Sequence, residues 1–168
     1  MYDNLELDAG SICTPQAVHY DPAIMALSAG LHVLVEKPMA SSAKEAYEMW
    51  KLARERGRIL MVGFQTRFAP ELIAARRIVS SGLLGKIYYA ETTLGGRRRG
   101  IPGPTFTSKK LAGGGVTLDL GCYSLDNAMY VLGFPMPRRV SAFTAAYIGT
   151  REDALVLEAA WPWDPRRF

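Results

Sequence analysis

The octapeptide LHVLVEKP, residues 31–38, indicates the fold most clearly. Its first five residues are mostly apolar, and a carboxylate, an ammonium and a proline follow them. An apolar run without strict alternation is typical of a strand in a parallel sheet that is covered by helices on both faces. We therefore predict a buried strand over 31–35 that ends at Glu36-Lys37-Pro38.

Similar units lie on both sides of this strand. Residues 11–13 predict a strand and 17–29 a helix, while 59–64 predict a third strand and 70–81 a further helix. Between them, Ser42 and Glu45 have the spacing of a capping box at the start of a helix that runs towards Gly57. Alternating strands and helices predict an α/β fold, here half of a doubly wound domain with a parallel sheet.

The pattern changes after Gly85. Residues 86–94 alternate as a strand with one buried face would, 116–132 predict a long helix, and 140–148 and 154–160 predict further strands. Alternating strands favour an incomplete α+β domain with an open, mostly antiparallel sheet. We accordingly divide the chain into residues 1–68 and 69–168.

Composition limits the classes of function. The 168 residues carry a net charge of +4, and the basic residues are scattered without interleaved aromatic side chains, so we expect no nucleic-acid partner. The acidic N-terminus differs from a signal peptide, and the apolar runs are too short for a membrane span. Cys13 and Cys122 are expected to be buried, reduced thiols in a cytoplasmic protein, and no His/Cys cluster predicts a metal.

Polar residues follow each of the three predicted strands. Thr14-Pro15, Glu36-Lys37-Pro38 and Gln65-Thr66-Arg67 all lie at carboxyl ends, where open α/β sheets bind ligands. A lysine at such a place can polarise a hydroxyl group, and Pro38, for which a cis bond is available, would fix its direction. The alternative is an incidental ion pair in a loop that leads to a helix.

The predicted helix 116–132 carries two stripes. Apolar residues spaced by three and four predict a core-facing stripe: Leu118, Cys122, Leu125, Met129 and Leu132. A polar stripe lies one residue further round: Asp119, Tyr123, Asp126 and Tyr130. Asp119 and Tyr123 share a face one turn apart, so they form either an acid/base pair or part of an ordinary amphipathic edge.

Three stretches together carry a resemblance to a known family. They are SICTPQAVHYDPAIMALSAGLHVLVEKPMA, VGFQTRFAP and RRRGIPGPTFTSKKLAGGGVTLDLGCYSLDNAMYVLGFP, which span most of residues 9–150. In order and spacing the sequence resembles the Gfo/Idh/MocA oxidoreductases. That resemblance implies a Rossmann domain that binds NAD or NADP, a sugar or polyol substrate, and a second domain whose open sheet commonly pairs subunits into a homo-oligomer.

The resemblance also implies roles for individual residues. Lys37 matches the catalytic lysine beside the nicotinamide, and Asp119 matches the aspartate that holds substrate hydroxyls. Tyr123 stands where many members have histidine and some have tyrosine; a neighbouring Lys37 would lower its pKa and let it take the hydroxyl proton. The remaining matches are on the cofactor side: Thr14, Pro15, Gln16 and His19 of the TPxxxH loop, then Glu36 and Gln65. Without the resemblance, a surface histidine is the simpler interpretation of His19.

One part of the family pattern has no counterpart in this sequence. The first strand, its GxGxxG loop and the acidic residue that binds the ribose are expected before Ser11, and no such motif occurs there. The sequence therefore predicts a central piece of the family fold, truncated at both ends. Two hypotheses remain: an NAD(P)-dependent oxidoreductase that transfers a hydride between the cofactor and a sugar or cyclic polyol alcohol, or a non-catalytic homologue that binds a carbohydrate or a partner chain.

Overall fold

A three-stranded parallel sheet forms the centre of the fold. The computed structural model describes residues 6–94 and 108–145. The strands β1 (Ala9–Ile12), β2 (His32–Val35) and β3 (Leu60–Val62) lie side by side in sequence order. Ile12 pairs with Val35, and Val35 pairs with Val62, so all three carboxyl ends lie at one edge. The predicted α/β fold with a parallel sheet is confirmed.

Two helices cover one face of the sheet. They are α1 (Tyr20–Ser28) and α2 (Ala43–Glu55), which pack against each other. The core lies between these helices and the strands, and its buried residues are Ile12, Ala23, Ala26, Leu27, Leu31, Val33, Val35, Met49 and Ala53. Right-handed crossovers between strands in sequence order place successive helices on the same face, which explains why both pack here.

The opposite face of the sheet is uncovered within the described residues. Leu34 of β2 and Met61 of β3 point to this face and are exposed. The prediction of helices on both faces is therefore wrong for residues 6–94 and 108–145. An apolar strand sequence shows only that both faces of the strand are suited to burial. The direction of the crossovers decides which face the neighbouring helices cover.

The start of α2 confirms the predicted capping box. The Ser42 hydroxyl accepts a hydrogen bond from the Glu45 amide at 3.2 Å, and the Glu45 carboxylate accepts one from the Ser42 amide at 3.1 Å. These bonds satisfy two backbone donors that the first turn of a helix otherwise leaves unpaired.

The later helices lie beyond the sheet. A 3₁₀ turn (Gln65–Phe68) leads into α3 (Pro70–Ser80), which confirms the helix predicted over 70–81. A short helix α4 (Lys109–Ala112) precedes a π-helical turn (Thr117–Gly121) that continues directly into α5 (Cys122–Val131). In the described part of the chain, no helix combines the length and apolar character needed to cross a membrane.

The face that α5 buries is not the predicted one. Leu125, in the predicted core stripe, is 66% exposed, whereas Asp126 of the polar stripe is only 9% exposed. The polar stripe faces the rest of the protein because its members find specific partners there, and a paired carboxylate can be buried where an unpaired one cannot. Apolar periodicity alone does not reveal such partners.

The predicted second sheet is not confirmed. Residues 86–94 and 140–145 form no regular strand, and Tyr88 and Phe143 in these segments are exposed. A strand needs a neighbouring strand to receive its backbone hydrogen bonds, and these segments form no such ladder with the described residues. Part of the predicted strand over 140–148, and all of that over 154–160, lies outside the described residues.

We expect Ser42→Ala to lower the free energy of unfolding by about 1 kcal/mol, since it removes the hydroxyl that accepts from the Glu45 amide. Urea denaturation followed by circular dichroism measures this loss. Ser41→Ala is the matched control, because Ser41 contacts Glu45 through its backbone amide and not its hydroxyl. An equal loss in both variants would contradict a capping role for Ser42.

Candidate active site

A cavity of about 180 Å³ opens at the carboxyl ends of β1 and β2. Seven predicted site residues and one residue of α4 line it: Thr14, Pro15, Gln16, His19, Glu36, Lys37, Asp119 and Ala112. Pockets for whole drug-sized ligands measure roughly 300–1,000 Å³. A cavity of this size therefore suits one end of a larger ligand.

The ammonium group of Lys37 joins the sheet to the π-helical turn. Its Nζ lies 2.8 Å from Oδ1 of Asp119 and 2.6 Å from the Asp119 carbonyl oxygen. Both side chains are largely shielded, with exposed fractions of 12% for Lys37 and 21% for Asp119. An ammonium has three N–H bonds, so one remains for a further acceptor. The peptide bond between Lys37 and Pro38 is cis.

The backbone around Asp119 is shaped by the preceding glycines. A Cβ atom on Gly114 would lie 2.6 Å from Cγ of Leu118, closer than side chains tolerate. The glycine thus lets the loop fold tightly against the first residues of the π-helical turn. The group that approaches Gly114 is Leu118 of the same segment.

Tyr123 lies beside the cavity and does not line it. Its ring face is 4.7 Å from Nζ of Lys37, and its hydroxyl donates a hydrogen bond to Oε1 of Gln65 at 2.9 Å. Phe64 packs edge-on against the same ring, with 6.0 Å between centroids. The structure therefore brings Lys37, Asp119, Tyr123 and Gln65 together, but Lys37 contacts the phenol ring and not its oxygen.

The pKa of Tyr123 is raised above the usual 10.0. Burial is the largest cause; the hydrogen bond with Gln65 and the charge of Lys37 lower the pKa, while the charges of Glu36 and Cys122 raise it. The prediction that Lys37 brings this pKa below 10 is wrong, because the loss of solvation outweighs the attraction. At neutral pH the phenol keeps its proton.

His19 links the two loops on either side of the cavity. The side chain is only 1% exposed, so a surface histidine is the wrong interpretation. Its Nδ1 lies 2.7 Å from the Pro38 carbonyl oxygen and its Nε2 lies 2.9 Å from the Thr14 carbonyl oxygen. Both ring nitrogens are therefore occupied by backbone contacts, which hold the Thr14 loop against the segment that follows Lys37.

The side chains of two further cavity residues, Glu36 and Gln16, lie in contrasting surroundings. The Glu36 carboxylate accepts from the Lys37 amide at 3.2 Å and lies over Gly63, where an added Cβ would come within 3.4 Å of it. The Oε1 atom of Gln16 is buried without a hydrogen-bond partner among the described residues. A buried acceptor without a partner is costly, so this oxygen marks a place where a ligand donor would be favourable.

Sequence reasoning missed the contacts that join the turn after β3 to α5. Arg67 donates to both carboxylate oxygens of Asp126, with Nε 2.8 Å from Oδ2, and the Thr66 hydroxyl donates to Oδ1 of Asn127 at 2.9 Å. The available signals were Thr66 and Arg67 at a strand end and Asp126 in the polar stripe. No sequence pattern paired them across about sixty positions.

The two cysteines are free thiols in different surroundings. Cys13 is exposed, so its predicted burial is wrong: it follows the buried Ile12, and successive side chains of a strand point to opposite faces. Cys122 is partly buried next to Asp119, and burial raises the pKa of its thiol.

Two family models match this chain, one over each part of its sequence. The family described as an oxidoreductase family with an NAD-binding Rossmann fold matches residues 1–64, and the GFO/IDH/MocA C-terminal domain matches residues 72–159. This chain belongs to the GFO/IDH/MocA family. The resemblance inferred from the sequence motifs is confirmed.

Similar proteins of the family include two curated dehydrogenases and one solved structure. D-glucoside 3-dehydrogenase of Escherichia coli K12 is 42% identical over 96% of this chain and 45% of its own length. scyllo-Inositol 2-dehydrogenase (NAD(+)) of Bacillus subtilis 168 is 36% identical over 79% of this chain and 38% of its own. Aldose–aldose oxidoreductase of Caulobacter crescentus, solved with glycerol, is 34% identical with a TM-score of 0.67, over 79% of this chain and 39% of its own. This chain thus spans less than half the length of each.

We expect the Tyr123 phenol to titrate above pH 10, because burial disfavours the phenolate. NMR of the chain labelled with ¹³Cζ-tyrosine measures the midpoint, and Tyr123→Phe identifies the signal by its loss. Since the folded pKa is raised, the stabilisation from the protonated phenol is complete below the unfolded pKa and is lost as pH rises through the folded pKa. A midpoint at or below 10 would contradict the dominant effect of burial.

Proposed function

We propose that this protein is an NAD(P)-dependent oxidoreductase that transfers a hydride between a nicotinamide cofactor and a secondary alcohol of a sugar or cyclic polyol. The observation that carries the proposal is the Lys37–Asp119 ion pair at the cavity, 2.8 Å between Nζ and Oδ1. Family membership and the activities named for its relatives support the same reaction class.

The cavity residues fit the nicotinamide end of NAD or NADP. The buried, unpartnered Oε1 of Gln16 is an acceptor for an amide N–H, and a carboxamide has two. Thr14, Pro15 and His19 form the wall on the β1 side, while Glu36 lies on the β2 side. Their positions support the cofactor-side roles that the motifs imply, with Gln65 lying next to the cavity beside Tyr123. When bound, the nicotinamide supplies the group that accepts or donates the hydride.

We assign substrate binding to Lys37 and Asp119. One N–H bond of the ammonium and Oδ2 of Asp119 have no hydrogen-bond partner among the described residues, so together they offer a donor and an acceptor to one hydroxyl group. A positive charge there stabilises the alkoxide that develops as the alcohol carbon is oxidised. Asp119 also holds the proposed catalytic group, the ammonium of Lys37, in place.

In ketone reduction, Tyr123 acts in its protonated form. Because its pKa is raised, the phenol is poised to give a proton to the alkoxide formed in ketone reduction. In alcohol oxidation the same oxygen takes the hydroxyl proton only after the phenol has ionised. We therefore assign the proton-transfer role to Tyr123 in both directions.

The remaining parts of the proposal concern the larger assembly. We propose that residues 1–68 form the cofactor half and 69–168 an α+β half, in which 86–94 and 140–145 join an antiparallel sheet. The match of residues 72–159 to the family's C-terminal domain supports this division. A cytoplasmic homo-oligomer that pairs through that sheet is part of the same proposal.

We expect Lys37→Ala to lower kcat by about 10²- to 10⁴-fold on a sugar or polyol oxidised by the parent chain, since it removes the group that stabilises the alkoxide. Dehydrogenase assays over a panel of sugars and polyols with NAD and NADP measure this. Lys51→Ala is the matched control, because Lys51 forms an exposed ion pair with Glu55 on α2, away from the cavity.

Calorimetric titration with NADH separates this function from the non-catalytic alternative. A dissociation constant tighter than about 1 mM, or roughly 4 kcal/mol, supports a cofactor site. A folded sample that neither binds NADH nor turns over any substrate, with Lys37→Ala indistinguishable from the parent, would remove the oxidoreductase assignment. Sugar binding without NADH binding would favour the carbohydrate-binding homologue.

A further inference from the structure

The turn Gln65–Phe68 contacts one face of α5 through three consecutive side chains. Gln65 accepts from the Tyr123 hydroxyl at 2.9 Å and Thr66 donates to Asn127 at 2.9 Å. Arg67 donates to both carboxylate oxygens of Asp126. Each bond falls on a different position along the helix, so the three together define where α5 lies relative to the end of β3.

The Arg67–Asp126 pair is the most constrained of these contacts. Asp126 is 9% exposed, and its two oxygens are held by two nitrogens of one planar guanidinium. The guanidinium also lies over the rings of Phe64 and Phe134, at 5.2 and 5.1 Å from their centroids. Arg67 can therefore neither rotate nor slide without losing hydrogen bonds, ring contacts or both.

A pair of this kind contributes more to geometry than to stability. Asp126 is buried and Arg67 is 36% exposed, so the pair is partly removed from water. The cost of that removal offsets much of the attraction between the two charges, and apolar replacements of buried pairs are often equally stable. Apolar contacts, however, tolerate small shifts, and each residue of a helix rises only about 1.5 Å along its axis. A two-bond contact between an arginine and a carboxylate does not tolerate a shift of that size.

The residues that Arg67 positions include the candidate catalytic groups. Asp126 lies two helical turns after Asp119, and Tyr123 lies between them on the same face. A displacement of Asp126 along the helix axis is transmitted to Asp119, where the 2.8 Å contact with Lys37 would be lost. The helix thus fixes the distance between the Lys37–Asp119 and Arg67–Asp126 ion pairs.

We propose that Arg67 and Asp126 are a positioning pair that fixes α5 in the register at which Asp119 meets Lys37. The catalytic role of this register rests on the proposed function. Independently of that function, the register determines whether the amine of Lys37 is shielded from solvent. With Arg67 and Asp126 paired, Lys37 is held by Asp119 and shielded from solvent. Without the pair, Lys37 is released while the fold persists.

Competitive acetylation of the full chain with acetic anhydride, read by peptide mass spectrometry, tests this directly. We expect the Lys37 labelling rate to rise severalfold in Arg67→Met and in Asp126→Asn, towards the rate in Asp119→Asn, which removes the partner itself. The exposed Lys51 serves as the internal reference in each sample. Arg76→Met is the matched control. Arg76 also stacks on an α5 side chain, 4.3 Å from the Tyr130 ring, but it binds no carboxylate among residues 6–94 and 108–145.

The double variant Arg67→Met/Asp126→Leu separates positioning from stability. It replaces the ion pair by apolar side chains, so we expect a melting temperature near or above that of the parent chain together with rapid Lys37 labelling. A folded double variant that still protects Lys37 would overturn the proposal, as would failure of the single and double variants to fold, since the pair would then be structural. Neither result requires turnover, so the proposal can fail while the oxidoreductase assignment stands.

Discussion

The contact between Lys37 and Asp119 holds the candidate active site together. It joins a residue at the end of β2 to a residue 82 positions later, and it uses both the side chain and the backbone carbonyl of Asp119. The Lys37 side chain is only 12% exposed, so its ammonium group requires an anionic partner and hydrogen-bond acceptors. The π-helical turn supplies all of these from one residue, and π-helical turns inside helices often mark functional positions.

The loops around this ion pair are held by backbone contacts more than by apolar packing. His19 fixes the Thr14 and Pro38 carbonyl groups at 2.9 and 2.7 Å, and Glu36 lies over Gly63. These contacts place the cavity walls before any ligand arrives. Preorganisation of this kind matters for catalysis, because the dipoles and charges need no rearrangement when the reaction occurs.

The unusual orientation of α5 follows from the same requirement. Its inward face carries Tyr123, Asp126 and Tyr130, and Asp119 lies in the π-helical turn just before it. Each of these four residues contacts a side chain from an earlier part of the chain. In a helix whose only role is to pack against the core, an exposed Leu125 and a buried Asp126 would be unfavourable. In a helix that delivers polar groups to a cavity, local departures from the apolar pattern are expected.

Local sequence patterns were sufficient to predict the order of strands and helices up to Ser80, the capping box of α2, and the family. These features depend on local spacing and on motifs, so neighbouring residues are sufficient to specify them. The sequence also predicted that Lys37 and Asp119 belong to one site, through the family resemblance. Tertiary contacts determine which face of α5 is buried and why His19 is enclosed while Cys13 is exposed. They also determine that 86–94 forms no strand among the described residues and that the pKa of Tyr123 is raised. Burial and pairing depend on residues that are distant in sequence, and the sign of a pKa shift depends on the balance between lost solvation and nearby charge.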